Sequence, residues 1–224
     1  MQPLLFRQIV VGAFQCNCRI WVCRKTGDAL VVDPGDEAGK IIALLRDLEK
    51  EIGKPVNPKL LLQTHGHLDH IGATREVKTE FTNAKIALHR DDQVLYDQLK
   101  MQGSLFGMQF EDPLPIDRYL EHEENLKIGD LKFSIIHTPG HSPGSVCIRM
   151  HEDSALGLKE TVLTGDTLFQ GSVGRTDLWG ANADQMFKNI RTRILTLDGD
   201  TCVCPGHGPD STIAIEKREN PFLT

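Results

Sequence analysis

Apolar residues in the first half of the chain fall into short blocks separated by stretches of helical periodicity. RQIVVGAF, RIWVC and ALVVD read as strands. GKIIALLRDLEKEIG follows as a helix with Ile41, Leu44, Leu45 and Leu48 on one face, and Gly53 stands where it should stop. KLLLQT is a continuous apolar run of strand length. HIGATREVKTEF then reads as a helix, AKIALH as a strand, and DDQVLYDQL as a helix whose leading acids suit its positive end. Residues 101–120, MQGSLFGMQFEDPLPIDRYL, mix apolar and turn residues without a period and are expected to form a loop or lid. LKFSIIHT, SVCIRM and ETVLTG read as strands, ADQMFKNIRTRIL as a helix, TCVCP as a strand and STIAIEKREN as a closing helix. Strand-rich and helical stretches thus alternate, which suits two packed sheets with helices on both outer faces. No Pro- or Ser-rich linker interrupts the order, so residues 1–224 are expected to form one domain.

Composition narrows the range of partners. With 224 residues, 40% of them hydrophobic, the chain can build its own core, so its six cysteines are expected to be reduced thiols in a cytoplasm. Cys202 and Cys204 alternate along TCVCP and should share one face of a strand as small hydrophobes. Cys16-Asn17-Cys18 has the spacing of neither a redox dithiol nor a zinc ribbon. A net charge of -6 offers no basic stripe for phosphates, and nucleic acid is not an expected partner. The opening MQPLLFRQIVVGAFQ lacks the layout of a secretion signal and no later run is long enough for a bilayer, so no membrane partner is expected.

The segment LLLQTHGHLDHIG places His65, His67, Asp69 and His70 directly after an apolar strand. Crowding three imidazoles and a carboxylate into one turn is costly unless something binds them. Their donor atoms suit zinc, iron or manganese. Further candidates stand at other strand ends: His141 in HTPGHSPGS, Asp166 in VLTGDTLF and His207 in CPGHGP, each beside a glycine that lets the backbone turn sharply. Four strand ends therefore make one constellation.

The motifs THGHLDH, HTPGHSPGS, LTGDTLF and PGHGP, in that order, resemble the metallo-β-lactamase superfamily, and the likeness runs from the VVDPG segment to the end of the chain. That resemblance implies an α/β (α+β) fold, a four-layer αβ/βα sandwich of two mixed β-sheets flanked by helices. It implies two divalent metal ions, zinc first with iron or manganese as alternatives. His65, His67 and His141 would hold one ion, Asp69, His70 and His207 the other, and Asp166 would bridge them. Asp33 would orient the ligand loop, although on local grounds it reads equally as a turn-forming Asp-Pro. Such a pair of ions shares a water and lowers its pKa, with Asp69 as the catalytic carboxylate that helps position it. No GxSxG elbow is present, so a serine nucleophile is not expected.

Within the superfamily, LFQGSVGRTD and the closing EKRENPFL are similar to glyoxalase II, the hydroxyacylglutathione hydrolases, and to their shorter bacterial forms in particular. The implied substrate is a small thioester or ester, glutathione-derived in that family. A thiolate leaves without prior protonation, whereas an amide or phosphodiester wants a placed general acid. Arg175 falls where the family carries a basic residue that contacts glutathione; its local alternative is an arginine paired with Asp177. The family's helical C-terminal domain, which supplies much of the glutathione pocket, is not expected here, because few residues follow His207. Two rivals share the fold: a persulfide dioxygenase with a single iron, and a lactonase whose acyl pocket would use Leu105, Phe106, Met108 and Phe110. Of the remaining histidines, His137 is expected to make a structural hydrogen bond, and His89, His122 and His151 to be solvated.

Overall fold

In the segment Asp28–Val32, Leu30 and Val32 pack to one side and Ala29 and Val31 to the other, and all four are buried. A strand can be apolar throughout only when both its faces are covered, and the architecture supplies that cover. The computed structural model describes residues 4–154 and 157–223; the extreme ends of the expected 1–224 domain lie outside the described residues.

Six strands form a first sheet whose spatial order follows the sequence: β1 (Leu4–Val11), β2 (Cys16–Cys23), β3 (Asp28–Val32), β4 (Asn57–Leu62), β5 (Lys85–His89) and β6 (Arg118–Leu120). β1 to β3 pair antiparallel, and β3 to β6 pair parallel. The second sheet takes β7 (Asn125–Ile128), β8 (Leu131–His137), β9 (Val146–Met150) and β10 (Thr161–Gly165). After a small hairpin of β11 (Leu168–Phe169) and β12 (Ser172–Val173), it adds β13 (Cys202–Pro205) and β14 (Ser211–Thr212). Its order is β14-β13-β10-β9-β8-β7, with β10 and β13 parallel. The antiparallel pairings of β8 with β9 and β9 with β10 make β8, β10 and β13 run in one direction.

The helices are α1 (Ala38–Ile52), α2 (Leu68–Ile71), α3 (Thr74–Glu80), α4 (Gln93–Asp97), α5 (Leu99–Leu105), α6 (Ala183–Asn189) with a π-helical continuation over Ile190–Ile194, and α7 (Ile213–Glu219). Ile41, Leu45 and Leu48 of α1 and Val77 of α3 cover the outer face of the first sheet. Trp21, Leu30, Leu62, Phe133, Ile148 and Leu163 meet between the sheets. Ile194 and Ile213 cover Val162 and Val203 on the outer face of the second. Each such buried side chain contributes about 1.5–3 kcal/mol by leaving water. The result is the expected four-layer α+β sandwich. No helix among the described residues is long and apolar enough to cross a membrane.

Three expectations are corrected. HIGATREVKTEF is not one helix: α2 starts at Leu68, and the path breaks at Ala73, whose amide donates to Pro34 O at 3.0 Å. The 101–120 segment is not wholly a loop, because α5 runs into it as far as Leu105 and β6 closes it. Its helical part showed no apolar period because polar Gln102 and Gly103 face inward while Met101 and Leu105 face out. His89 is buried rather than solvated, stacked on His137 with ring centroids 3.8 Å apart, and His151 is half-buried; His122 is exposed as expected. Cys202 and Cys204 do share a face, their Sγ atoms 3.6 Å apart.

Candidate metal centre

The seven histidine and aspartate candidates leave the C-terminal ends of four strands. β4 ends at Leu62, and the chain passes through His65 and His67 into α2, which carries Asp69 and His70. β8 leads to His141, β10 to Asp166 and β13 to His207. Because β8, β10 and β13 run the same way, their ends lie along one edge of the second sheet, facing the end of β4. A main-chain hydrogen bond from Val146 N to Thr64 O, 2.8 Å, joins the two sheets at this edge.

Outer partners decide how four of the imidazoles present their nitrogens. His141 Nδ1 donates to Arg175 O at 2.8 Å, and His207 Nδ1 to Gln15 O at 3.2 Å. His70 Nδ1 donates to Asp33 Oδ2 at 2.9 Å. The Thr64 hydroxyl gives its proton to Asp33 Oδ2, 2.8 Å, which leaves its oxygen free to accept from His65 Nδ1 at 3.1 Å. With Nδ1 committed outward, each neutral ring turns an Nε2 lone pair inward. His65, His67 and His141 stand mutually edge-on, their centroids 4.7 to 4.8 Å apart. His67 Nδ1 and His141 Nε2 face each other at 2.9 Å.

A second triad lies beside the first. His70 Nε2 and His207 Nε2 are 3.2 Å apart, and Asp69 Oδ2 is 3.2 Å from His207 and 3.6 Å from His70. Asp166 spans both groups, with Oδ1 3.4 Å from His70 Nε2 and Oδ2 3.6 Å from His141 Nε2.

These donors fit divalent cations. Four donors around a tetrahedral ion at about 2.0–2.1 Å stand about 3.3–3.4 Å from one another, close to the second triad's spacing. His65 Nε2 and Asp166 Oδ1 are buried and have no hydrogen-bond partner among the described residues. Two facing lone pairs, as on His70 and His207, repel unless a proton or cation lies between them. Gly206 keeps the centre open: a Cβ there would meet Asp166 Oδ1 at 2.5 Å and His70 Cε1 at 2.8 Å.

The electrostatics follow from the crowding. Burial, followed by the neighbouring imidazoles, holds His65 well below the usual histidine value. Burial and His141 likewise bring His67 down to about 4. Burial opposes ionisation of Asp69 and Asp166, but His70 and His207 outweigh it and keep both below the ordinary carboxylate value. Burial also works against a charged His70, yet Cys16, Asp166, Asp69 and Asp33 push its pKa well up. At His207, Asp69 and Asp166 overcome burial in the same direction. The site therefore concentrates negative charge that protons or metal cations can neutralise.

Residues that the sequence reading passed over fix the loops. The carboxylate of fully buried Asp92 accepts from Gly66 N at 2.8 Å, from the Ser142 hydroxyl at 2.7 Å and from Gly144 N, so it ties the His65–His67 turn to the His141 turn. Gln102 accepts from Leu68 N at 3.0 Å and donates to Gly66 O at 3.0 Å and Leu95 O at 2.7 Å. Asn17 donates to Pro205 O and Gly208 O, at 3.0 and 2.9 Å, and clamps the turn that carries His207. His137 Nε2 donates to Pro143 O at 2.9 Å, a structural bond of the kind expected. Asp33 is buried and touches both Thr64 and His70, so its side chain does more than form a turn. The Arg175 guanidinium pairs with Asp177 at 2.7 and 2.9 Å, and the residue also lines a cleft above the centre.

That cleft, of about 470 Å³, has His67, Asp69, His141, Asp166 and His207 in its floor. Leu105 and Phe106 line its wall, while Met108 and Phe110 of the same segment pack into the core beneath.

Sequence and structure comparisons converge on one superfamily. The profile of the Metallo-beta-lactamase superfamily matches residues 12–207. The chain is similar to hydroxyacylglutathione hydrolase GloC of Haemophilus influenzae, with 40% identity over 96% of this chain and 96% of that one. Among solved structures it is similar to the BLEG-1 B3 metallo-beta-lactamase, at TM-score 0.84 and 36% identity over 98% of this chain and 100% of that one. It is also similar to TTHA1623 in a di-iron-bound form, at TM-score 0.81 and 34% identity over 97% of this chain and 100% of that one. With all seven candidate ligands inside the matched span, the chain belongs to the metallo-β-lactamase superfamily.

Proposed function

We propose that the chain is a metal-dependent hydrolase of thioesters, of the hydroxyacylglutathione hydrolase type. The observation that carries this reading is the convergence of inward-facing Nε2 atoms of His65, His70, His141 and His207, each with its Nδ1 bonded to an outer oxygen. His65, His67 and His141 would hold one cation and Asp69, His70 and His207 a second, with Asp166 giving an oxygen to each. Divalent cations bound there supply a Lewis acid for the substrate carbonyl and lower the pKa of water.

The chain's own residues do the rest. Asp33, Thr64, Gln15 O and Arg175 O keep the imidazoles oriented, so no reorganisation is needed when substrate arrives. Asp69 reaches the cleft floor and is held ionised, so it can accept a hydrogen bond from the attacking water and orient it. The water oxygen adds to the acyl carbon, the C–S bond breaks, and the thiolate takes up a proton in solvent, releasing acid and thiol. Outside the centre itself, the polar side chains lining the cleft are Gln98, Gln102 and Arg175, none of them a general acid at neutral pH. A thioester is the substrate that needs none. The likeness to GloC supports the same class.

The test is hydrolysis of S-lactoylglutathione and simple thioesters by zinc-loaded protein, with His67→Ala as control. Thioester cleavage that is lost in His67→Ala is the expected outcome. Oxygen uptake with glutathione persulfide and no thioester cleavage would contradict the proposal.

A further inference from the structure

Large apolar side chains exposed to solvent are not scattered over this molecule. Among the described residues nine are exposed, and six of them, Phe14, Met101, Leu105, Phe106, Leu178 and Trp179, line the one cleft above the metal-ligand cluster. They come from three separate places: the β1–β2 turn, α5 with the residue after it, and the loop between β12 and α6. Leu105 is 76% exposed and Trp179 61%. Phe14 and Phe106 meet edge to face, centroids 5.0 Å apart, and form a lip across the cleft. An apolar patch of this kind costs solubility and marks a binding surface. Arg175 is the one arginine or lysine among the residues lining it, and its guanidinium is engaged by Asp177. A glutathione moiety, with two carboxylates and an ammonium, would find little in this wall to pair with.

From this placement we infer that the cleft takes an apolar acyl group, aliphatic or aryl, directly beside the scissile bond, and that substrates with such acyl groups are preferred over a short hydroxyacyl group. The inference rests on the thioester-hydrolase reading above and narrows its substrate class to apolar acyl groups, in place of the hydroxyacyl group that the likeness to GloC suggests. The acyl carbon must lie over His67, Asp69, His141, Asp166 and His207, and a chain attached to it runs within the same cleft, whose other lining is largely apolar: Phe14, Leu105, Phe106, Leu178 and Trp179 among others. A volume of about 470 Å³ lies within the range of pockets that bury most of a small ligand.

Two measurements test it, one independent of activity. Metal-free protein is titrated with butanamide, hexanamide and octanamide while tryptophan emission is followed; Trp21 is buried in the core, so exposed Trp179 is the reporter. The dissociation constant should fall about threefold to fourfold per added methylene, and the signal should vanish in Trp179→Phe. In parallel, zinc-loaded protein is assayed on S-lactoyl-, S-butyryl-, S-hexanoyl- and S-octanoylglutathione, which share one thiol. kcat/KM should rise along the acyl series by a similar factor per methylene, and the slope should flatten in Phe106→Ser and in Leu105→Ser, two variants of exposed residues that leave the core intact. A lactoyl substrate preferred over octanoyl, with no chain-length trend in binding, overturns the inference and leaves the hydrolase reading standing. Chain-length-dependent amide binding with no thioester cleavage supports the apolar cleft and overturns the hydrolase reading instead. A stable dimer by light scattering in which Trp179 responds to no amide overturns the inference, because the patch would then be covered by a second copy.

Discussion

Asp33 adopts φ 52, a left-handed backbone conformation that aspartate and asparagine tolerate better than most residues. From there its two carboxylate oxygens accept from Thr64 N, Thr64 Oγ1 and His70 Nδ1 at 2.7, 2.8 and 2.9 Å. One buried side chain thus orients His70 directly and His65 through Thr64. Asp33→Asn preserves the backbone preference but turns an amide N–H₂ toward one of these donors. Loss of such an outer partner lowers metal affinity by roughly 10–100-fold, and competition titration against a chelator measures it; unchanged affinity would show that the carboxylate does not orient the ligands. His89 gives a second, pH-linked outcome. Burial and the stacked His137 lower its pKa, against the opposing pull of Asp91 and Glu121. The unfolded chain takes up this proton near pH 6.5 and the folded chain at a lower pH. The unfolded state therefore binds more protons in that window, so stability falls as pH drops below about 6.5. Urea midpoints at pH 7.5 and 5.5 should differ less in His89→Gln than in the unaltered protein; an equal or larger difference contradicts the assignment.

At the scale of elements, the centre depends on strand ends that turn within a few residues of one another. At the Gly206 turn a Cβ would overlap Asp166 Oδ1 and approach His70 Cε1. Gly206→Ala is expected to displace Asp166 and reduce both metal content and thioesterase activity while the circular dichroism spectrum stays that of the folded protein. Full metal content in that variant would mean the loop yields without cost. Elements with long, regular patterns were legible in the sequence. GKIIALLRDLEKEIG marks α1, Gly53 follows it in the left-handed conformation at φ 70, and the apolar runs mark β3, β4, β8, β9 and β10. β6, β7, β11, β12 and β14 were not legible, because strands of two to four residues show alternation only where an apolar run frames them, as TCVCP frames the four-residue β13. The candidate ligands could be read because HGHLDH concentrates rare donor types in one turn. Asp92 and Gln102 could not, because a buried polar residue that bonds to backbone looks in sequence like any surface one. The cleft was half legible: Leu105 and Phe106 line it, but Met108 and Phe110 do not, and Phe14, Leu178 and Trp179 come from elsewhere in the chain.

At the scale of the whole molecule, the two sheets meet where the centre lies, and cations bound there would cross-link ends of β4, β8, β10 and β13. Metal that binds the folded state alone stabilises it by about 2.7 kcal/mol when free ligand is a hundredfold above its dissociation constant. For a chain of this size that corresponds to a Tm shift on the order of 5–10 °C. Calorimetry before and after chelation should show a fall of that size, restored by zinc; a Tm indifferent to chelator would mean that no metal links the sheets. Among the described residues, two other clusters with possible ligands, His89 with Asp91 and His137, and Cys202 with Cys204 and Asp210, share no member with the seven residues that converge at the strand ends. Anomalous scattering at the metal edge, from crystals of metal-loaded protein, separates all these sites in one experiment. The account predicts two peaks, one among His65, His67 and His141 and one among Asp69, His70 and His207, with Asp166 between them. A single peak, or peaks confined to the other clusters, would contradict it.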